Sequence, residues 1–245
     1  EAGRLRRYSH VSTAATAGER FNEVVYEDGC IDWDRSDYDP YGRTKKFCEH
    51  MARELLPDQS LVFFRPTIVL GDSRMAPTTQ FDMLFAVCTI ADLPVVPLDP
   101  GARVDIVNTD YVGKAIARIH TKDTVAHDAY NLSAGRDSLT VAQIGQVLTA
   151  GTGKTLRFGR RLERPFHRAV RALSHLPKRG NPAYGPVSLL RVFWPYVRYD
   201  TVFDNTRVVR ELGEAPTSFG DYGKALCDWA REHRFRYPHT ELGAP

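Results

Sequence analysis

At 245 residues, 42% hydrophobic, 26% charged and 11% aromatic, the chain has a globular composition and the length to bury one core or two unequal ones. Its 33 basic and 30 acidic residues leave a net charge of +3, which argues against a nucleic-acid partner, and the composition excludes disordered, collagen-like and disulfide-scaffold classes. The four cysteines, Cys30, Cys48, Cys88 and Cys227, form no C-x-x-C pair, so neither a zinc site nor a disulfide framework is expected.

The chain opens at Glu1 without a methionine and is within a core strand a dozen residues later, which reads as a chain entered midway. Tyr8 to Thr13 predicts a short strand ending in small hydroxyl residues, and Glu19 to Asp39 a polar, acidic loop. Asp39-Pro40 marks a helix start, with Asp as N-cap and Pro in the first turn; Phe47, Cys48, Met51 and Leu55 follow at helical spacing until Pro57. Leu61 to Leu70 is unbroken and apolar, the pattern of a buried strand, and ends at Gly71. A helix is expected over Phe81 to Ile90, a strand over Val104 to Val107, and a helix capped by Asp110. Tyr130 to Ser133 predicts another strand, and Thr140 caps a helix over Val141 to Leu148.

Strands alternating with helices, with continuous apolar strand runs, indicate a parallel sheet covered on both faces. From about Gly135 the pattern turns helical, aromatic and irregular. The expected organisation is therefore residues 1–134 as part of a sheet domain and residues 135–245 as a smaller, mainly helical substrate lobe. No segment approaches about 18 consecutive apolar residues, so no transmembrane span is expected, and without a secretory signal the cytoplasm is the default compartment.

Between residues 157 and 179, Arg157, Arg160, Arg161, Arg164, Arg168, Arg171, Lys178 and Arg179 meet a single acid, Glu163. Such a run is either a solvated helix face or a surface that attracts an acidic group, a phosphate-bearing carrier or a lipid headgroup. Gly151-Thr152-Gly153-Lys154-Thr155 ends like a phosphate-binding loop, but Leu148 stands where that motif needs glycine, and a helix C-cap and turn is the better reading. His10, His120, His127, His167 and His175 show no metal-ligand spacing, and no metal site is assigned.

Tyr41-Gly42-Arg43-Thr44-Lys45 sets a phenol and an ammonium four residues apart on one helix face. A free tyrosine, with a pKa near 10, is a poor proton carrier at neutral pH, whereas a cation held nearby favours the phenolate. With eleven tyrosines, chance alone supplies such a pair often enough that it carries little by itself. Its context carries more. Val11-Ser12-Thr13 ends the strand before it, and Phe64-Arg65-Pro66-Thr67-Ile68-Val69-Leu70-Gly71 ends the strand after it, beside the crevice where such sheets bind ligands.

Here the chain resembles the extended short-chain dehydrogenase/reductase family. The resemblance rests on Ser12-Thr13-Ala14, on Tyr41 and Lys45, on Arg65 to Gly71, and on Val104-Asp105-Ile106-Val107 leading to Asp110-Tyr111-Val112. Phe203-Asp204-Asn205 followed by Glu211-Leu212-Gly213 completes it over nearly the whole chain. The wording around Thr13 and Arg65 is most similar to the thioester reductase and fatty acyl reductase branch.

That resemblance implies a Rossmann-type doubly wound parallel sheet, truncated at its N-terminus, with the C-terminal lobe holding substrate. It implies hydride transfer from a nicotinamide cofactor, NADP(H) in preference to NAD(H), to a small-molecule or carrier-bound acyl thioester or related carbonyl. Tyr41 would exchange the proton, Lys45 would tune Tyr41 and hold the ribose, and Thr13 would orient the substrate oxygen. Ser12, Tyr41, Lys45, Pro66, Thr67 and Ile68 would contact cofactor. The aromatic stretch from Val192 to Val197 would either suit a long acyl chain, with peripheral membrane contact open to the basic run, or form the core of its lobe.

The family's glycine-rich G-x-x-G-x-x-G turn, which seats the cofactor pyrophosphate, has no counterpart here. Two other readings therefore stand: a nucleotide-sugar epimerase, dehydratase or hydroxysteroid dehydrogenase of the same fold, and a non-catalytic remnant without a dinucleotide site.

Overall fold

β-branched and aromatic residues build the first parallel pair. Tyr8–Val11 (β1) lies alongside Leu61–Pro66 (β3) in the register Tyr8↔Leu61 to Val11↔Phe64. Ala129–Leu132 (β6) pairs on the other side of β3, giving a parallel three-stranded sheet in the order β1-β3-β6. The computed structural model describes residues 5–174 and 184–236. Two more parallel pairs accompany this sheet: Val24–Val25 (β2) with Val202–Phe203 (β7), and Ile68–Val69 (β4) with Ile106–Val107 (β5).

Parallel strands require crossovers, and helices supply them. Pro40–Leu55 (α1) joins β1 to β3, and Thr109–Thr121 (α3) precedes β6. Thr206–Leu212 (α7) packs on β6. Val62, Phe64, Tyr130 and Leu132 of the sheet meet Tyr111, Ala115 and Ile119 of α3 and Val208 and Leu212 of α7 in one buried cluster. The buried Arg7 guanidinium donates to the carbonyls of Ile119, His120 and Lys122 at 3.2, 2.7 and 2.8 Å, tying the entrance of β1 to the C-terminus of α3.

The chain divides into two units, but not at a single point near residue 134. Unit 1 comprises residues 1–69, 105–138 and 199–218, and unit 2 comprises residues 70–104, 139–198 and 219–245. The expected boundary fails because residues 70–104 leave the sheet early, while β7 and α7 return to it late. Hydrogen bonding between β2 and β7 spans most of the sequence, so no local pattern announces it.

Unit 2 is built from Asp82–Asp92 (α2), Val141–Thr149 (α4), Glu163–Leu173 (α5), Tyr184–Arg198 (α6) and Phe219–Glu232 (α8). Thr140 caps α4 with a reciprocal Gln143 bond, as its sequence predicts. Gly151 and Gly153 both take positive φ in the turn that follows, in keeping with the turn reading of that segment. The aromatic stretch lies in α6, where Trp194 is buried against Phe166 of α5.

Three local expectations are corrected. Leu61 to Leu70 is not one strand: after Pro66 the chain changes partner, and β4 pairs with β5 rather than with β1 or β6. Asn108, not Asp110, occupies the N-cap position of α3; Asp110 sits in the first turn and accepts a 2.8 Å bond from Nδ2 of the Asn108 side chain. Cys88 and Cys227 are joined, linking α2 to α8 across a sequence separation of 139, a pairing that their spacing did not suggest. Among the described residues no helix is long and apolar enough to cross a membrane, and no cluster of side chains could hold a metal ion.

Candidate active site

The site is assembled at the carboxyl end of β1. Beyond Val11 the chain turns sharply: Thr13, in extended conformation, caps a 3-10 turn over Ala14–Ala17, with its side-chain oxygen accepting from the Ala15 amide at 3.3 Å. Because Thr13 Oγ1 already accepts that bond, its own proton is free to be donated elsewhere. The Ser12 amide donates to the Phe64 carbonyl at 2.7 Å, so the turn sits beside the Arg65-Pro66 end of β3.

Tyr41 and Lys45 enter on α1. Asp39 accepts from the Gly42 amide at 2.7 Å and Pro40 begins the helix, so the sequence-predicted start is observed. Gly42 then sets the packing distance. A Cβ there would lie 3.0 Å from the Ala15 carbonyl oxygen, so glycine lets the first turn of α1 sit this close to the turn that Thr13 caps without displacing it by tenths of an ångström. Tyr41 is half exposed, at 51%. The Lys45 ammonium lies 6.0 Å from the centre of the Tyr41 ring and donates to the Val11 carbonyl at 2.9 Å.

Beneath these groups lies a buried ionic cluster that the sequence reading missed. Arg65 donates to Glu49 through two nitrogens, at 3.0 and 2.7 Å, and to the Glu27 carbonyl at 2.8 Å. The Ser12 hydroxyl donates to the same Glu49 carboxylate at 2.6 Å. Glu49 and Arg65 are 0% and 2% exposed. The hydroxyl of Ser12, expected to face cofactor, is thus committed to the interior. The signal for Glu49 was available only as an acidic residue eight positions after Tyr41, on the face of α1 turned to the sheet.

Pro66, Thr67 and Ile68 leave the end of β3. The Thr67 amide donates to the Leu132 carbonyl at 3.1 Å and its hydroxyl to Asp105 at 2.8 Å. Ile68 is buried in β4. Asp105 also accepts from the Ala134 amide at 2.8 Å. Burial pushes its pKa up to about 6, against the opposing pull of the Ala134 amide and the Thr67 and Ser138 hydroxyls. His10, beside the strand end, is shifted the other way: burial and then the Lys45 charge lower its pKa and favour the neutral ring.

Comparison with known proteins finds a likeness in part of the sequence and in the fold. Residues 1–116 match the model of an NAD-binding family described as male sterility protein. No curated protein matches the chain. The chain is similar to the crystal structure of the terminal R domain of the myxalamid PKS-NRPS biosynthetic pathway, at 17% identity and a TM-score of 0.73, covering 96% of this chain and 60% of that one. It is similar to the aureusimine biosynthetic cluster reductase domain, at 13% identity and a TM-score of 0.66, covering 93% and 60%. It is also similar to UDP-glucuronic acid 4-epimerase from Bacillus cereus in complex with NAD, at 17% identity and a TM-score of 0.60, covering 95% and 63%. The chain therefore has the Rossmann-type α/β fold and spans about 60% of the length of the structures it matches.

Proposed function

We propose that this chain supplies the proton-handling side of a nicotinamide-dependent reductase of the extended short-chain type, a reading supported by the match of residues 1–116 to the male sterility family model. Its substrate is an acyl thioester or related carbonyl, small or carrier-bound. The observation that carries the reading is the convergence at the end of β1: Lys45 is bonded to the Val11 carbonyl, Tyr41 stands one turn before it on α1, and Thr13 caps the adjoining turn.

The residues fit the nicotinamide half of such a cofactor. Tyr41 and Lys45 stand at the carboxyl ends of parallel strands, where ligands of this fold lie, and Lys45 retains donor capacity beyond its one bond. Ser12, Pro66, Thr67 and Ile68 flank the same strand ends and contribute backbone and shape, since the Ser12 and Thr67 hydroxyls already have partners. The pyrophosphate half has no glycine-rich turn among these residues. The preference for NADP(H) over NAD(H) rests on the likeness to thioester reductases.

When bound, the nicotinamide supplies the hydride that adds to the substrate carbonyl carbon. Tyr41 passes its proton to the carbonyl oxygen, with the Lys45 ammonium held one turn along the same helix by its bond to Val11. Thr13 donates its free hydroxyl proton to the same oxygen and holds it in line. On a thioester the product of this step is a hemithioacetal, which releases the thiol and leaves the aldehyde.

The test uses the full polypeptide made from its own gene, NADPH and an acyl thioester of coenzyme A. The reading expects NADPH consumed one for one with aldehyde formed. Conversion of a nucleotide sugar with no net NADPH consumption would replace it with the epimerase reading, for which the structural likeness to the Bacillus cereus enzyme is the support. Absence of any dinucleotide binding would replace it with the non-catalytic one.

A further inference from the structure

The described part of the basic run, Arg157 to Arg171, leads through the short 3-10 turn Arg160–Leu162 into α5, while His175, Lys178 and Arg179 lie outside the described residues. At helical spacing, Arg164, Arg168 and Arg171 form one exposed ribbon, extended by the exposed Arg157 and Arg161. The single acid of the run does not neutralise them. Glu163 is turned to α6, where it pairs with Arg198 at 3.0 Å. Arg160 reaches Asp99 at 3.0 Å, but among the described residues Arg161, Arg164, Arg168 and Arg171 have no carboxylate partner.

A solvated helix face normally alternates signs at i, i+3 and i, i+4, and like charges at those spacings cost a few tenths of a kcal/mol per pair. Arg164 and Arg168 stand at i, i+4, and Arg168 and Arg171 at i, i+3. The run contains arginine and no lysine between residues 157 and 171, the side chain whose planar fork matches phosphate oxygens two at a time.

A second ribbon runs beside the first. Leu162, Pro165, Ala169, Ala172 and Leu173 are all exposed, with Leu162 at 49% and Leu173 at 44%. The third side of α5, carrying Phe166, His167 and Val170, packs inward on Trp194 of α6. One helix thus presents an inward face, a cationic face and an outward apolar face.

We propose that α5 is the part of this protein that lies on an anionic lipid surface, with the arginine ribbon on headgroup phosphates and Leu162 and Leu173 entering the acyl boundary. A bilayer offers the two chemistries side by side at adjacent depths. An acidic polypeptide would satisfy the arginines and leave the leucine ribbon in water. Each arginine held near such a surface favours binding by roughly fivefold, and shallow insertion of the leucines adds to it. The proposal does not depend on the reductase reading.

The experiment is sedimentation of the full chain with phosphatidylcholine vesicles, with and without one-third phosphatidylglycerol. The full chain is expected to bind the anionic vesicles, to ignore the zwitterionic ones, and to be released as salt is raised. The triple variant Arg164→Glu, Arg168→Glu, Arg171→Glu is expected to lose at least about a hundredfold in binding. The corresponding three-glutamine variant, matched to wild type in melting temperature, separates that loss from misfolding. Leu162→Ser with Leu173→Ser is expected to lose about tenfold while keeping its salt dependence. Equal binding to both vesicle types, or binding unmoved by the arginine variants, would overturn the proposal. So would binding to soluble polyglutamate as tight as to vesicles and indifferent to the leucine variants, which would assign the ribbon to an acidic protein.

Discussion

Lys45 donates its ammonium to the main-chain carbonyl of Val11 at 2.9 Å, so a helix residue one turn past Tyr41 is anchored to the end of the strand that leads into Thr13. With the Ser12–Glu49 bond and the close approach of Gly42 to Ala15, this bond fixes the relation between the two elements that carry the proposed catalytic group. Replacing Lys45 with Met keeps the bulk and removes both the bond and the charge. The expected result is a loss of turnover of at least about a hundredfold, from the value of a positioned acid-base group, with a stability change of only about 1 kcal/mol. Paired steady-state kinetics and denaturant melts of the same variant check both numbers.

Gly42 holds α1 against the Ala15 carbonyl, whose oxygen would lie 3.0 Å from an added Cβ. Gly42→Val is expected to push the first turn of the helix outward and to cut activity more than tenfold, because angstrom-scale displacement of reacting groups is that costly. Gly42→Ala, whose added methyl needs a shift of only tenths of an ångström, should fall between the two. A ranking in which alanine and valine both act as wild type would show that the close approach does not position Tyr41.

The Glu49–Arg65 pair is buried on both sides and bonded bidentately. Removing one partner leaves an uncompensated charge, and Glu49→Gln is expected to cost about 3–5 kcal/mol in chemical denaturation. The double variant Glu49→Leu with Arg65→Met should recover most of that loss, since two apolar side chains leave no charge buried. Recovery in the double variant separates the desolvation argument from simple cavity formation, in which the costs would add.

Asp105 gives a pH dependence with a defined sign. Its folded-state pKa is raised from the ordinary carboxylate value to about 6. Its stabilising contribution is therefore complete below pH about 4, where both states hold the proton, and is lost as pH rises through about 6. Asp105→Asn does not titrate, so from pH about 4 to about 7 the variant should gain on wild type by roughly 3 kcal/mol. Urea midpoints of both proteins across that range test it; a difference that stays flat, or grows the other way, contradicts the assignment.

The parts of this molecule that were legible in the sequence are those written in short spacings. Asp39-Pro40 is a helix-start signal read from two adjacent residues, and Tyr41 and Lys45 then share a face by helix geometry alone. Thr140 and Gln143 announce their reciprocal cap in the same way. What was not legible depends on distant partners. Glu49 reads as a surface acid on an amphipathic helix until Arg65 arrives from β3 and Ser12 from just beyond β1. The Ser12 hydroxyl reads as free for a ligand until that same carboxylate accepts its proton. The division into two interleaved units, and the joining of Cys88 to Cys227, follow from chain returns that no local periodicity encodes.

The most direct test of the central claim is Tyr41→Phe in the full polypeptide, assayed for NADPH-dependent thioester reduction beside a titration of NADPH binding. The expected result is turnover lower by about a hundredfold to ten-thousandfold with cofactor affinity nearly unchanged, because only the transferred proton is removed. Turnover equal to wild type would contradict it and take the catalytic role away from Tyr41.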